Sequence, residues 1–150
     1  MEKDFDRWNE KKKAVHGREI HRDFFYHERE VWWCAIGANV GVETDGKHNH
    51  FERPVLVVRK FNKEMFWGVP LTSHERFGEY FETVAHEAGI SWAMLSQFKT
   101  LSSKRLMRKI GMISEKDLKK IQDKIQNLIK IEPPRQSEGS RRPKPLITPY

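Results

Sequence analysis

Residues 53–73 read RPVLVVRKFNKEMFWGVPLTS, two apolar runs split by a short polar link. Val55-Leu56-Val57-Val58 and Met65-Phe66-Trp67-Gly68-Val69 carry the β-branched and aromatic residues that suit a pleated surface. Phe61-Asn62-Lys63-Glu64 supplies a turn, because Asn tolerates the left-handed conformation. The pattern predicts a β-hairpin. With Asn62 and Lys63 as its two turn residues, Phe61 faces Glu64, and counting down the ladder sets Arg53 opposite Thr72. Directly opposed residues hold their Cβ atoms about 5 Å apart. The open end of the hairpin therefore brings a guanidinium beside a hydroxyl. Two readings fit that pair: a solvated cross-strand contact, or a site that grips phosphate oxygens, for which a guanidinium is well shaped. Pro54 suits the first residue of a strand. Pro70 predicts an edge position or a bulge able to shift the register near Thr72.

The chain has 150 residues and a formal net charge of +7, which points to one domain with anionic partners. Cys34 is the single cysteine. It excludes an internal disulfide and a multi-cysteine zinc site, and it fits a reducing, cytoplasmic setting. The N-terminus is charged from its second residue and has no apolar signal core. No stretch approaches the roughly 20 apolar residues of a membrane span. The expectation is a soluble intracellular protein without a membrane partner.

Residues 1–28 form a charged N-terminal arm, expected to be helical to about Gly17 and to pack on the domain through Trp8 and Phe24-Phe25-Tyr26. Val31–Ile36 is the first strand candidate. The loop from Ala38 to Phe51 follows, and loops this long inside a domain are usually functional or disordered. It holds Lys47-His48-Asn49-His50. For His48 and His50, a solvated loop, a phosphate contact, a metal site and an acid–base role are all open. After the hairpin, Tyr80–Ala85 and Ser91–Leu95 read as two further strands, the second running on through Ser96–Thr100. Lys104–Ile110 reads as a short basic helix stopped by Gly111, with a brief strand at Met112-Ile113. Ser114 is the N-cap expected for a helix to Lys130. Leu118, Ile121, Ile125, Leu128 and Ile129 make its apolar stripe. Residues 132–150 are rich in Pro, Ser, Gly and Arg and predict a disordered basic tail, for which two roles are open: non-specific nucleic-acid affinity, or solubility alone. Many short strands and one covering helix predict a mainly β fold with α (α+β), a small antiparallel barrel over residues 29–131.

Arg29-Glu-Val-Trp-Trp33, Gly37-Ala-Asn-Val-Gly-Val-Glu43, Arg53-Pro-Val-Leu-Val-Val58 and Val69-Pro-Leu-Thr-Ser73 together resemble the PemK/MazF toxins of type II toxin–antitoxin systems. Leu95-Ser-Gln-Phe-Lys-Thr100, with Arg105-Leu106 and Ile110-Gly111 beyond it, is similar to that family's second block. The resemblance implies an SH3-like barrel of the plasmid-maintenance-toxin (MazF/PemK/CcdB-like) type with a C-terminal helix. It also implies a homodimer, an antitoxin partner and a metal-independent endoribonuclease that needs no cofactor. Such enzymes cut single-stranded RNA, the mRNA included, by attack of a ribose 2′-OH on the adjacent phosphate. The family's catalytic Arg and Thr fall on Arg53 and Thr72. In-line attack builds charge on the phosphate oxygens, which a fixed Arg stabilises. A guanidinium is a poor acid, so Arg53 is assigned to charge stabilisation, and Thr72 with Ser73 to orienting the phosphate. Glu52, His48 and His50 are candidates to move the proton. Lys47 and Lys99 are candidates to hold neighbouring phosphates, and Gln97 joins the substrate-binding set. Trp33, Phe51 and Trp67 are available as base platforms or as core.

The chain departs from the family pattern at Ser96, where some members carry Asp, at Lys99, where Arg is usual, and in the longer loop before Arg53. The competing readings are a catalytically inactive nucleic-acid-binding or regulatory barrel of the same fold, and a housekeeping RNA-processing enzyme.

Overall fold

The computed structural model describes residues 2–130, and the expected basic tail at 132–150 lies outside them. Helix α1 (Phe5–His16) is followed by strands β1 (Glu30–Ala35), β2 (Glu52–Lys60), β3 (Met65–Thr72), β4 (Phe81–His86), β5 (Gly89–Met94), β6 (Lys99–Ser102) and β7 (Leu106–Met112). Helix α2 (Glu115–Ile129) ends the described chain. The strands make one antiparallel sheet in the order β4-β5-β3-β2-β1-β7, with β6 also on β3. Its two edges meet where the Glu87 carboxylate, at the β4–β5 turn, accepts the Met112 amide of β7 at 2.8 Å. Mainly β with a terminal helix is thus the observed class.

The four-residue run at the middle of β2 is buried on both faces, which is why it reads as continuously apolar. Leu56 and Val58 join Val31, Val69, Leu71, Val84, Leu95 and Ile113 beneath Leu118, Ile121 and Ile125 of α2. Val55 and Val57 face the other way, toward Tyr26, Trp32, Cys34, Phe66, Leu101 and Leu106. A third cluster seats Trp8 and Val15 of α1 on Ala35 and Phe51. Ser114 caps α2, its hydroxyl accepting the Asp117 amide at 3.1 Å. Ile129 falls past the edge of the stripe and is exposed, and Phe25 points outward while Phe24 and Tyr26 pack inward.

Three expectations are corrected. The hairpin turn is one residue longer than counted, since Lys60 pairs with Phe66 and the Phe61 amide donates to the Met65 carbonyl. A bulge between Val57 and Arg59 absorbs the extra residue, and the pairing from Val57↔Gly68 to Val55↔Pro70 returns to the expected register. Pro70 takes the edge position, one of its two expected settings: away from β2, β3 pairs with β6 up to Gly68 and with β5 from Leu71, and Pro70 falls between them. Residues 104–110 are not a helix: a 3₁₀ turn at Ser103–Arg105 leads into β7. The open edge of β1 takes up those backbone groups, and sheet pairing outweighs a weak local helix preference. Last, β5 does not run unbroken into residues 96–100. The 3₁₀ turn Leu95–Gln97 interrupts it, and β6 then resumes pairing on the same edge of β3.

Candidate active site

A cleft of about 350 Å³ opens at the end of the hairpin, lined among others by Arg53, Thr72, Ser73, Lys47, His48 and His86. Arg53 stands at the head of β2 opposite Cys34 of β1. Its Nε donates to the Asp45 carbonyl at 2.7 Å and its Nη1 to the Leu71 carbonyl at 3.3 Å. These bonds hold the guanidinium from two directions, and among the described residues its Nη2 has no hydrogen-bond partner and can donate elsewhere. Thr72 ends β3, one residue past that Leu71 carbonyl, and is buried, with 5 % of its surface exposed. Its Oγ1 accepts the His74 amide at 3.2 Å, which orients the hydroxyl and leaves its proton to give.

The cleft is electropositive. Burial disfavours the charge on Lys47, and the nearby Arg53 and Arg76 lower its pKa further. Burial likewise lowers the pKa of Arg53, with Asp45 acting in opposition. Lys47 and Arg53 sharing one cleft is an arrangement an anion relieves. Arg76 has no motif of its own. It sits in the polar connection after Thr72, outside the residues that line the cleft, and bears on Lys47 only through its charge.

His86, at the β4–β5 tip, also escaped sequence reasoning. Its Nδ1 accepts the Ala88 amide at 3.3 Å, and its Nε2 lies 3.0 Å from the Ser91 hydroxyl. A backbone N–H only donates, so the neutral ring carries its proton on Nε2 and donates it to Ser91. Burial holds its pKa below the usual 6.5, against the pull of Glu87. Alternation along β4 and β5 gave no sign that both residues reach the hairpin end.

The structure does not gather every expected residue there. Glu52 projects from the opposite face of β2, as strand alternation requires. Its carboxylate takes Arg108 at 2.9 Å and Lys11 at 3.6 Å. His50 is exposed on a 3₁₀ turn and its carbonyl accepts Lys11. Gln97 spans the loop before the cleft, accepting the Thr44 amide at 3.1 Å and donating to the Val42 carbonyl at 3.0 Å. Lys99 is half-buried, its pKa lowered by burial and then by Arg105. Of the three aromatics, Trp33 lines the cleft with the Arg108 guanidinium 5.6 Å from its ring. Phe51 is core against Trp8, and Trp67 is exposed beside Phe61 and Phe98. Among the described residues no group of three His, Cys, Asp or Glu is placed to hold a metal ion, and no helix is long and apolar enough to cross a membrane.

A profile described as "PemK-like, MazF-like toxin of type II toxin-antitoxin system" matches residues 27–129. Among solved structures, the chain is similar to an endoribonuclease from a mycobacterial species in complex with its cognate antitoxin. That likeness has a TM-score of 0.53 at 15% identity and covers 69% of this chain and 93% of that one. It is also similar to MazF from Deinococcus radiodurans, with a TM-score of 0.57 at 17% identity over 71% of this chain and 97% of that one. No curated protein matches the chain. At these identities the structural likeness speaks for the fold.

Proposed function

The chain belongs to the PemK-like, MazF-like toxin family of type II toxin–antitoxin systems, and on that premise we propose that it is an endoribonuclease acting on single-stranded RNA. The observation that carries the reading is that Arg53 and Thr72, distant in sequence, line one open cleft with Lys47. The Nη2 edge of Arg53 faces the scissile phosphate and offsets charge on its non-bridging oxygens as the 2′-OH attacks. Thr72 and Ser73 donate hydroxyl protons to the same group and fix its orientation. Lys47 and Arg76 hold the flanking backbone by charge. The products are a 2′,3′-cyclic phosphate and a free 5′-OH, and no metal ion is needed. His48 and His86, the two imidazoles at the cleft, are the candidates to move the proton. Glu52 is spent on Arg108 and Lys11.

As a toxin the protein acts in the cytoplasm as a homodimer and is silenced by an antitoxin whose acidic segment complements the basic cleft. Incubation of single-stranded RNA in EDTA with wild type and with Arg53→Ala tests the reading. Cleavage by wild type alone is expected. RNA bound and left intact by both proteins contradicts catalysis and favours a binding barrel.

A further inference from the structure

Helix α1 lies upstream of the family match, which begins at residue 27, yet it holds the loop beside the cleft at several points. Lys3, just before the helix, donates to the Asn39 carbonyl at 2.6 Å and the Gly41 carbonyl at 3.0 Å, and pairs with Asp45 at 3.0 Å. One turn on, Arg7 donates to the Asn49 side chain at 3.3 Å. One turn further, Lys11 donates to the His50 carbonyl and pairs with Glu52. Lys3, Arg7 and Lys11 recur every four residues, so one side of the chain meets the loop. Trp8 lies beside them, buried against Gly37 and with its ring 5.6 Å from that of Phe51.

We propose that α1 is a positioning element for the active site, clamping residues 37–51 so that the loop presents its anchor to Arg53. The loop needs such a clamp. His48 and Phe51 both sit in the left-handed region, at φ 58° and 54°, which non-glycine residues disfavour. One of the two anchors on Arg53, the Leu71 carbonyl, belongs to the barrel. The other, the Asp45 carbonyl, belongs to the loop, and Lys3 grips Asp45 directly. Lys47 and His48 reach the cleft from the same loop. Loosening α1 therefore slackens the Asp45 side of the guanidinium's anchoring and the loop that carries Lys47 and His48, leaving that loop tied to the barrel only by Gln97 and a few backbone bonds, such as the Lys47–Glu52 bridge. A guanidinium released from one of two anchors spends less time in the productive geometry, and that loss falls on kcat rather than on the charge-driven KM. The effect on rate rests on the endoribonuclease reading, whereas the clamp itself does not.

Lys3→Met in the full chain tests it, since methionine keeps the stem and removes the ammonium. Amide hydrogen exchange is expected to rise about tenfold across residues 38–51, with β2 and β3 unchanged. On single-stranded RNA in EDTA, kcat is expected to fall about tenfold with KM about unchanged. Lys3→Arg should restore both. Unchanged loop exchange overturns the clamp, and a loosened loop with full kcat overturns the positioning role. If wild type leaves RNA intact, the endoribonuclease reading fails while the exchange result still decides the clamp.

Discussion

Arg53 is held by two carbonyls at fixed directions, and that geometry makes lysine a poor substitute despite its charge. Arg53→Lys is expected to lose about 10²-fold or more in kcat, as for removal of a preorganised donor, with the fold unchanged by circular dichroism. Thr72→Val, which keeps the shape and removes the hydroxyl, should cost about tenfold in kcat by loss of one hydrogen bond to substrate. The imidazole of His86 should titrate below its ordinary 6.5 in a nuclear magnetic resonance titration, because burial disfavours its cation more than Glu87 favours it. Between the folded and unfolded values the unfolded chain binds more protons, so this group's contribution to stability is present above 6.5 and fades as pH falls below it. Arg53 and Thr72 were legible from counting because two offsets cancel: a turn one residue longer, and a bulge that takes the residue back. His86 was not legible, because it ends β4 and reaches the cleft only through long-range folding. Glu52 misleads for the opposite reason. It was a candidate to move the proton, but strand alternation sends it to the face opposite Arg53, where it pairs with Arg108 and Lys11.

Helix α1 and the Ala38–Phe51 loop form one packed unit, and Gly37, just before that loop, packs against Trp8 of α1. Its φ is +90°, and a Cβ there would lie 2.1 Å from the Trp8 ring. Gly37→Ala is expected to destabilise the protein by about 2–3 kcal/mol, combining backbone strain with overpacking, as read from urea unfolding. Gly46 meets a similar limit, because a Cβ there would lie 1.8 Å from the Phe51 carbonyl oxygen. The arm was legible as a helix ending at Gly17 with Trp8 inward, since spacing and the stop residue say so. That it grips the loop was not, because Lys3, Arg7 and Lys11 read as solvated charges until the loop is folded against them. The segment 104–110 shows the converse. Its Lys and Arg favour a helix on propensity, and only the empty edge of β1 makes it a strand.

The barrel as a whole is fastened by carboxylates. Glu82 of β4 takes Lys120 at 2.7 Å and also Lys124, tying α2 across the sheet. Burial pushes the Glu82 carboxyl up, but the two lysines outweigh it and hold the pKa below the usual 4.5. Glu30 behaves alike, its burial outweighed by the His27 amide, Trp32 and Lys109. Groups with depressed folded values stabilise above their unfolded pKa and lose that contribution as pH falls through the folded one. Melting temperature should therefore drop as pH is lowered below about 4.5, and Glu82→Gln should flatten that dependence. The antiparallel barrel with its covering helix was legible from short strands and one amphipathic stripe. The closure between Glu87 and Met112 was not, since those residues carry no pattern and meet only when the two sheet edges come together.

The most direct trial is of the reaction itself. A defined single-stranded RNA is incubated in EDTA with the full chain or with Arg53→Lys, and the fragment ends are read by mass spectrometry. Wild type should leave 2′,3′-cyclic phosphate and 5′-OH ends, and the variant should leave the RNA intact over the same time. Cleavage by the variant at the wild-type rate, or intact RNA with both proteins, would contradict a phosphate-stabilising role for Arg53.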